Sequence, residues 1–80
     1  MSFSIARPLT PLASQVWFDH DMLRVRLVDG REIAAPLELF PELRRASDRQ
    51  KSNWRIIGKG EGIHWDDLDE DLSVLGLLES

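Results

Sequence analysis

The stretch Leu23-Arg24-Val25-Arg26-Leu27-Val28-Asp29-Gly30-Arg31-Glu32-Ile33-Ala34-Ala35 limits what this chain can become more than any other. Leu23, Val25 and Leu27 alternate with Arg24 and Arg26, so an extended backbone puts apolar groups on one face and guanidinium groups on the other. Asp29-Gly30 interrupts the run. An Asp-Gly pair between alternating segments is the strongest short-range hairpin signal, because both central positions of a two-residue turn want φ > 0. Ile33 and Ala35 resume the alternation until Pro36, which donates no ladder hydrogen bond and so ends the strand. Upstream, from Gln15, Val16 and Phe18 share a face opposite Trp17 and Asp19, and Asp19-His20-Asp21-Met22 reads as a further turn. The pattern predicts a three-stranded antiparallel meander with one apolar face.

Beyond Pro36 the period changes. Leu39, Leu43 and Ala46 recur at helical spacing, with Phe40 beside Leu43, and Pro41 suits a first helical turn, where its missing N–H would have no partner. Ser47 and Gln50 have the spacing of a capping box that opens a second, polar helix. Trp54-Arg55-Ile56-Ile57 returns to strand character. Gly58, Gly60 and Gly62 punctuate a turn, and Ile63-His64-Trp65 completes a second hairpin. Leu72, Val74, Leu75, Leu77 and Leu78 form an apolar C-terminal segment expected to dock on the core. The expected architecture is α+β: a small antiparallel sheet, made of the meander and the later hairpin, covered by two short helices.

At 80 residues the chain is expected to be one domain over 1–80, with an extended N-terminal arm over 1–14 that contains Pro8 and Pro11. A chain of this length buries only about 60% of its unfolded surface, so the core must be small. It contains no cysteine, so disulfides, thiolate metal sites and cysteine nucleophiles are excluded. The start, MSFSIARPLTPLAS, has no apolar h-region. No apolar run reaches the roughly 20 residues needed to span a bilayer. The expectation is a soluble, cytoplasmic protein with no membrane association.

The net charge of −4 is unevenly spread. Between Glu42 and Lys59 the balance is +4, from Arg44, Arg45, Arg49, Lys51, Arg55 and Lys59 against Glu42 and Asp48. From Gly60 to Ser80 it is −7, from Glu61, Asp66, Asp67, Asp69, Glu70, Asp71 and Glu79 with no Lys or Arg. Segregation of this kind marks an interaction surface, or places two segments that neutralise each other within a Debye length of roughly 8–10 Å.

The chemical readings mostly fail on spacing. Gly58-Lys59-Gly60-Glu61-Gly62 lacks the Lys-Ser/Thr ending of a phosphate loop, and Glu61 would repel a phosphate. Asp67, Asp69 and Asp71 match the first positions of an EF-hand loop. Leu72 then stands where the sharp turn needs Gly, and Leu78 where a bidentate carboxylate is required. A metal site from His64, Asp66 and Asp69 would have one imidazole and flexible acids, a weak donor set, so no metal or cofactor is expected. Paired catalytic carboxylates need environments that drive their pKa values apart, whereas adjacent acids in a water-facing turn share one. His20 and His64 each lie beside an Asp, but Ser14, Ser47, Ser52 and Ser73 have no nucleophile-elbow context. The acids have a structural reading: Asp69 caps a short helical turn over 70–73, Leu68 points inward, and Asp66, Asp67, Glu70 and Asp71 stay wet.

The segments DGREIAAPLELFPELRRAS and NWRIIGKGEGIHWDDLDEDLSVLGLL carry a resemblance over about residues 15–78. The ordered set Asp-Gly-Arg, Pro-Leu, Phe-Pro-x-Leu, Asn-Trp, Gly-x-Gly, Ile-His-Trp, Leu-Asp-Glu-Asp and Gly-Leu-Leu resembles the small bacterial family of unknown function DUF2442. Lys51 stands where the family pattern leads one to expect arginine. The resemblance implies a compact α+β domain and transfers no catalytic residue. Many members are encoded beside a second small family, DUF4160, in a pairing similar to a toxin–antitoxin module, which would make this chain the antitoxin-like member. The expected function is therefore a non-catalytic protein-interaction module with a small DUF4160-like protein partner. Asp66, Asp67 and Glu70 would meet a basic partner, and Arg44, Arg45 and Arg49 an acidic one. The alternative is a nucleic-acid-associated regulator using the basic 44–59 segment, although such domains usually interleave stacking aromatics with their basic footprint. An unpaired sheet edge is also a route to a homodimer.

Overall fold

The computed structural model describes residues 11–79, and the arm expected over 1–14 lies outside the described residues from 1 to 10. Strand β1 (Ala13–Asp19) begins two residues before the expected Gln15 and pairs antiparallel with β2 (Met22–Leu27), which pairs with β3 (Glu32–Pro36). The order β1-β2-β3 is the meander that the alternation predicts. Leu23, Val25 and Leu27 are buried, with Val16 opposite Val25 and Ala35 opposite Leu23 on the same face. On the outer face Arg26 pairs with Glu32 directly opposite, and its guanidinium lies 5.4 Å from the Trp17 ring centroid.

The turn expected over Asp19–Met22 is present, whereas the one at Asp29-Gly30 differs from expectation. Asp29-Gly30 is not a two-residue turn, because only Gly30 has positive φ (94°). The Leu27 carbonyl accepts from Gly30 N–H at 2.9 Å and Leu27 N–H donates to the Arg31 carbonyl at 2.7 Å, which makes a three-residue loop ending in a left-handed residue. Asp29 is held there by accepting from the Arg31 N–H at 3.0 Å. That backbone donor also keeps the Asp29 carboxyl below its ordinary pKa. The two-residue turn occurs instead at His20-Asp21, where φ is 50° and 63°.

The expected first helix is divided. Leu37–Leu39 makes a single 3₁₀ turn, and α1 runs from Pro41 to Arg45 with proline in its first turn. Phe40, at φ −130° and ψ 79°, breaks the run, because the ring of a following proline excludes the α region. The break shifts the phase of the apolar face: Leu37 is buried and Leu39 is 56% exposed. Helix α2 (Asp48–Ser52) opens on the predicted capping box. Gln50 N–H donates to Ser47 Oγ at 3.1 Å, and Ser47 N–H donates to Gln50 Oε1 at 3.0 Å.

Strands β4 (Trp54–Ile57) and β5 (Gly62–Trp65) form the second hairpin around the glycine turn. The acidic stretch does not continue as a capped helical turn. Asp66–Leu68 is a 3₁₀ turn, Asp69 takes the left-handed conformation (φ 50°, ψ 45°), and Glu70–Ser73 is a strand, β6, paired antiparallel with β5. The free edge of β5 supplies the ladder, and Leu72 opposite Ile63 supplies the apolar contact. The molecule therefore has two three-stranded sheets, β1-β2-β3 and β4-β5-β6.

Helix α3 (Val74–Glu79) follows directly. Val74 and Leu77 join the core with Leu37, Leu43, Ile63, Trp65 and the inner residues of the first sheet, while Leu75 and Leu78 are exposed. Trp65 is completely buried and donates its indole N–H to the Lys51 carbonyl at 2.9 Å. Trp54, opposite Trp65 across the β4–β5 ladder, is only half-buried. It lines an open groove with Val16, Trp17, Phe18 and Lys51, where β1 passes β4.

Candidate functional site: a charged row on the second sheet

In the second sheet Arg55 pairs with His64, and His64 pairs with Asp71. Neighbours across antiparallel strands share a face, and Ile56, Ile63 and Leu72 take the face that packs on the core. One basic, one titratable and one acidic side chain therefore stand in a row on the other face. The 66–68 turn adds Asp66 to this row. Asp66 Oδ1 lies 2.9 Å from His64 Nε2 and accepts from Arg55 Nε and Nη2 at 3.3 and 3.2 Å. His64 Nδ1 hydrogen-bonds Asp71. The His64 side chain is only 18% exposed, whereas Asp66 and Asp71 are mostly exposed. The hydrogen bond to Asp71, with further attraction from Asp71 and Asp66, raises the His64 pKa against partial desolvation and the nearby Arg55.

With a carboxylate on each nitrogen, the imidazole has no free position for a substrate proton or a metal. Its two carboxylates sit on opposite sides of the ring and do not converge. Among the described residues no three His, Asp or Glu side chains are grouped to hold a metal ion.

The residues singled out in the sequence are distributed differently from the two sets expected. Asp66 is not free to meet a partner, because Arg55 and His64 engage it. Asp67 is exposed and accepts from Asn53 Nδ2 at 3.3 Å. Glu70 stands opposite Trp65 on the core-facing side and is half-buried rather than wet. Arg45 is paired with Glu42 at 2.8 Å on α1. Arg44 and Arg49 are exposed and form no ion pair among the described residues. The basic and acidic segments partly neutralise each other, through Arg55 and Asp66. Sequence reasoning placed Arg55 only in the alternative nucleic-acid segment over 44–59 and assigned Asp71 to no site. Closing a hairpin across the glycine turn would have set Arg55 opposite His64, but Asp71 was out of reach while residues 70–73 were read as helical.

The fold is thus a small α+β domain of two three-stranded meanders and three short helices, with a row of paired charged and titratable side chains on the second sheet. The chain belongs to the family of proteins of unknown function DUF2442, which matches residues 13–80. It is similar to the crystal structure of a protein of unknown function from Rhodospirillum rubrum, with 38% identity, 86% of each chain covered and a TM-score of 0.75. It is similar in fold to the solution structure of an uncharacterized protein from Chromobacterium violaceum, with 24% identity and a TM-score of 0.73. That match covers 85% of this chain and 64% of the other. No curated protein matches the chain. No helix among the described residues is long and apolar enough to cross a membrane.

Proposed function

We propose that this chain is a non-catalytic protein-interaction module whose acidic turn receives a small basic protein. The observation that carries the reading is the state of the acids around that turn. Asp66 and Asp71 are engaged by Arg55 and His64, while Asp67, Asp69 and Glu70 have no ion-pair partner among the described residues. Three uncompensated carboxylates within four positions make a concentrated negative patch. Such patches steer encounter with an oppositely charged partner and act chiefly on the association rate. The toxin–antitoxin arrangement that the family resemblance implies supplies the identity of the partner: a DUF4160-like protein, with this chain as the antitoxin-like member acting in the cytoplasm.

The test is surface plasmon resonance against the product of the neighbouring gene, and against a random DNA duplex, at low and high salt. Asp67→Asn, Asp69→Asn and Glu70→Gln together remove the patch with little change of shape, and Asn tolerates the left-handed backbone at position 69. The association rate should fall about tenfold at low salt and much less at high salt. Unchanged rates would sink the proposal. Duplex binding abolished by Arg44→Glu and Arg49→Glu would replace it with the nucleic-acid reading, which the two unpaired arginines support.

A further inference from the structure

We propose that His64 is a proton-operated clasp, fully closed only as the imidazolium, which fastens the 66–69 turn to the second sheet. The reasoning begins with donor counting. Imidazolium carries an N–H on both nitrogens, while neutral imidazole carries one and presents a lone pair at the other. Here each nitrogen faces a carboxylate, Nδ1 towards Asp71 of β6 and Nε2 towards Asp66 of the turn. A carboxylate only accepts, so both contacts are hydrogen bonds in the charged state alone. The charged groups facing the ring come from every adjoining element: Arg55 from β4, Asp66 from the turn and Asp71 from β6. While the ring is protonated, these four groups balance. Losing the proton leaves one negative charge in excess and sets a lone pair against a carboxylate oxygen.

The geometry also says which contact opens. Asp66 has a second cation, Arg55, at 3.2 Å, whereas His64 is the ion-pair partner that holds Asp71. The hydrogen bond to Asp71 is the largest influence on the imidazole and raises its pKa. The neutral ring therefore keeps its proton on Nδ1 and stays bound to Asp71, and Asp66 passes wholly to Arg55. The 66–69 turn then loses its tie to β5, while β6 keeps its own. Because the folded pKa lies above the unfolded value of 6.5, the stabilisation from the clasp is complete below pH 6.5 and is lost as pH rises through the folded pKa. Histidine is the side chain suited to switch in this range.

Imidazole NMR on the full chain, carrying His20→Asn so that one ring reports, tests the idea without a partner. His64 should titrate above 6.5. Its neutral form should carry the proton on Nδ1, and amide exchange at Leu68 and Asp69 should quicken beyond its intrinsic pH dependence as the ring is neutralised. Asp71→Asn should lower the titration point more than Asp66→Asn. A neutral ring protonated on Nε2, or a titration point at or below 6.5, overturns the clasp. Both readouts come from the protein with Asp66 and Asp71 intact, so they stand even if either variant fails to fold.

Discussion

Replacing Trp65 and Trp54 separately by alanine tests whether burial or merely residue type sets the stability of this domain. Trp65 has no exposed surface, stacks edge-on against Phe18 at 6.3 Å and donates to the Lys51 carbonyl. Truncating a fully buried tryptophan costs about 3–5 kcal/mol through lost transfer energy and the cavity left behind. Orphaning the part-buried Lys51 carbonyl adds about 1–3 kcal/mol, less if water enters the cavity. The expected total is about 4–8 kcal/mol, comparable with the roughly 4–12 kcal/mol that a chain of this size has in all. Trp54 lies half-buried in an open groove, so its truncation should cost about half the cavity figure, near 2 kcal/mol. Trp65→Phe keeps most of the ring and loses the indole N–H bond, for about 1–3 kcal/mol. Urea titration followed by far-ultraviolet circular dichroism reads all three without relying on the fluorophore being removed. Equal losses from Trp54→Ala and Trp65→Ala, or a loss below about 2 kcal/mol at Trp65, would refute the reasoning.

Two further substitutions probe local geometry. Gly60 has φ 109°, and a Cβ there would stand 2.9 Å from Leu12 Cβ and 3.2 Å from the Ala13 carbonyl oxygen, whereas Gly30 (φ 94°) has nothing within 4 Å. Gly60→Ala should therefore cost about 2–4 kcal/mol, from strain and overpacking, and Gly30→Ala about 1–2 kcal/mol, from strain alone. Thermal melts that rank them in the reverse order would show that β1 does not press on the second hairpin. Ser47→Ala should remove the side-chain half of the capping box and lower stability by about 0.5–2 kcal/mol, a fall of roughly 4–8 °C in Tm per kcal/mol. An unchanged Tm would mean that α2 does not depend on its cap.

Local sequence determined those parts of the fold whose partners lie a few residues away. The alternation at Leu23, Val25 and Leu27, the stop at Pro36, and the reciprocal bonds of Ser47 and Gln50 are relations between near neighbours, and each is present in the structure. The glycine turn behaved the same way, and so did the pairing of Trp54–Ile57 with Gly62–Trp65. The DUF2442 assignment also rested on the linear order of short motifs. Tertiary structure decided the rest. Glu70-Asp71-Leu72-Ser73 has one apolar residue and little intrinsic strand preference, so its strand conformation comes from the free edge of β5, which no local pattern reports. The same pairing across the acidic turn brought Asp71 to His64 and turned a run of wet acids into an engaged pair flanking three carboxylates that have no ion-pair partner among the described residues. Burial of Trp65 and half-exposure of Trp54 follow from where β1 and α2 pass over the second sheet. Backbone hydrogen bonding and side-chain periodicity are written within a segment, but the surface that a segment packs against is supplied by chain far away in sequence.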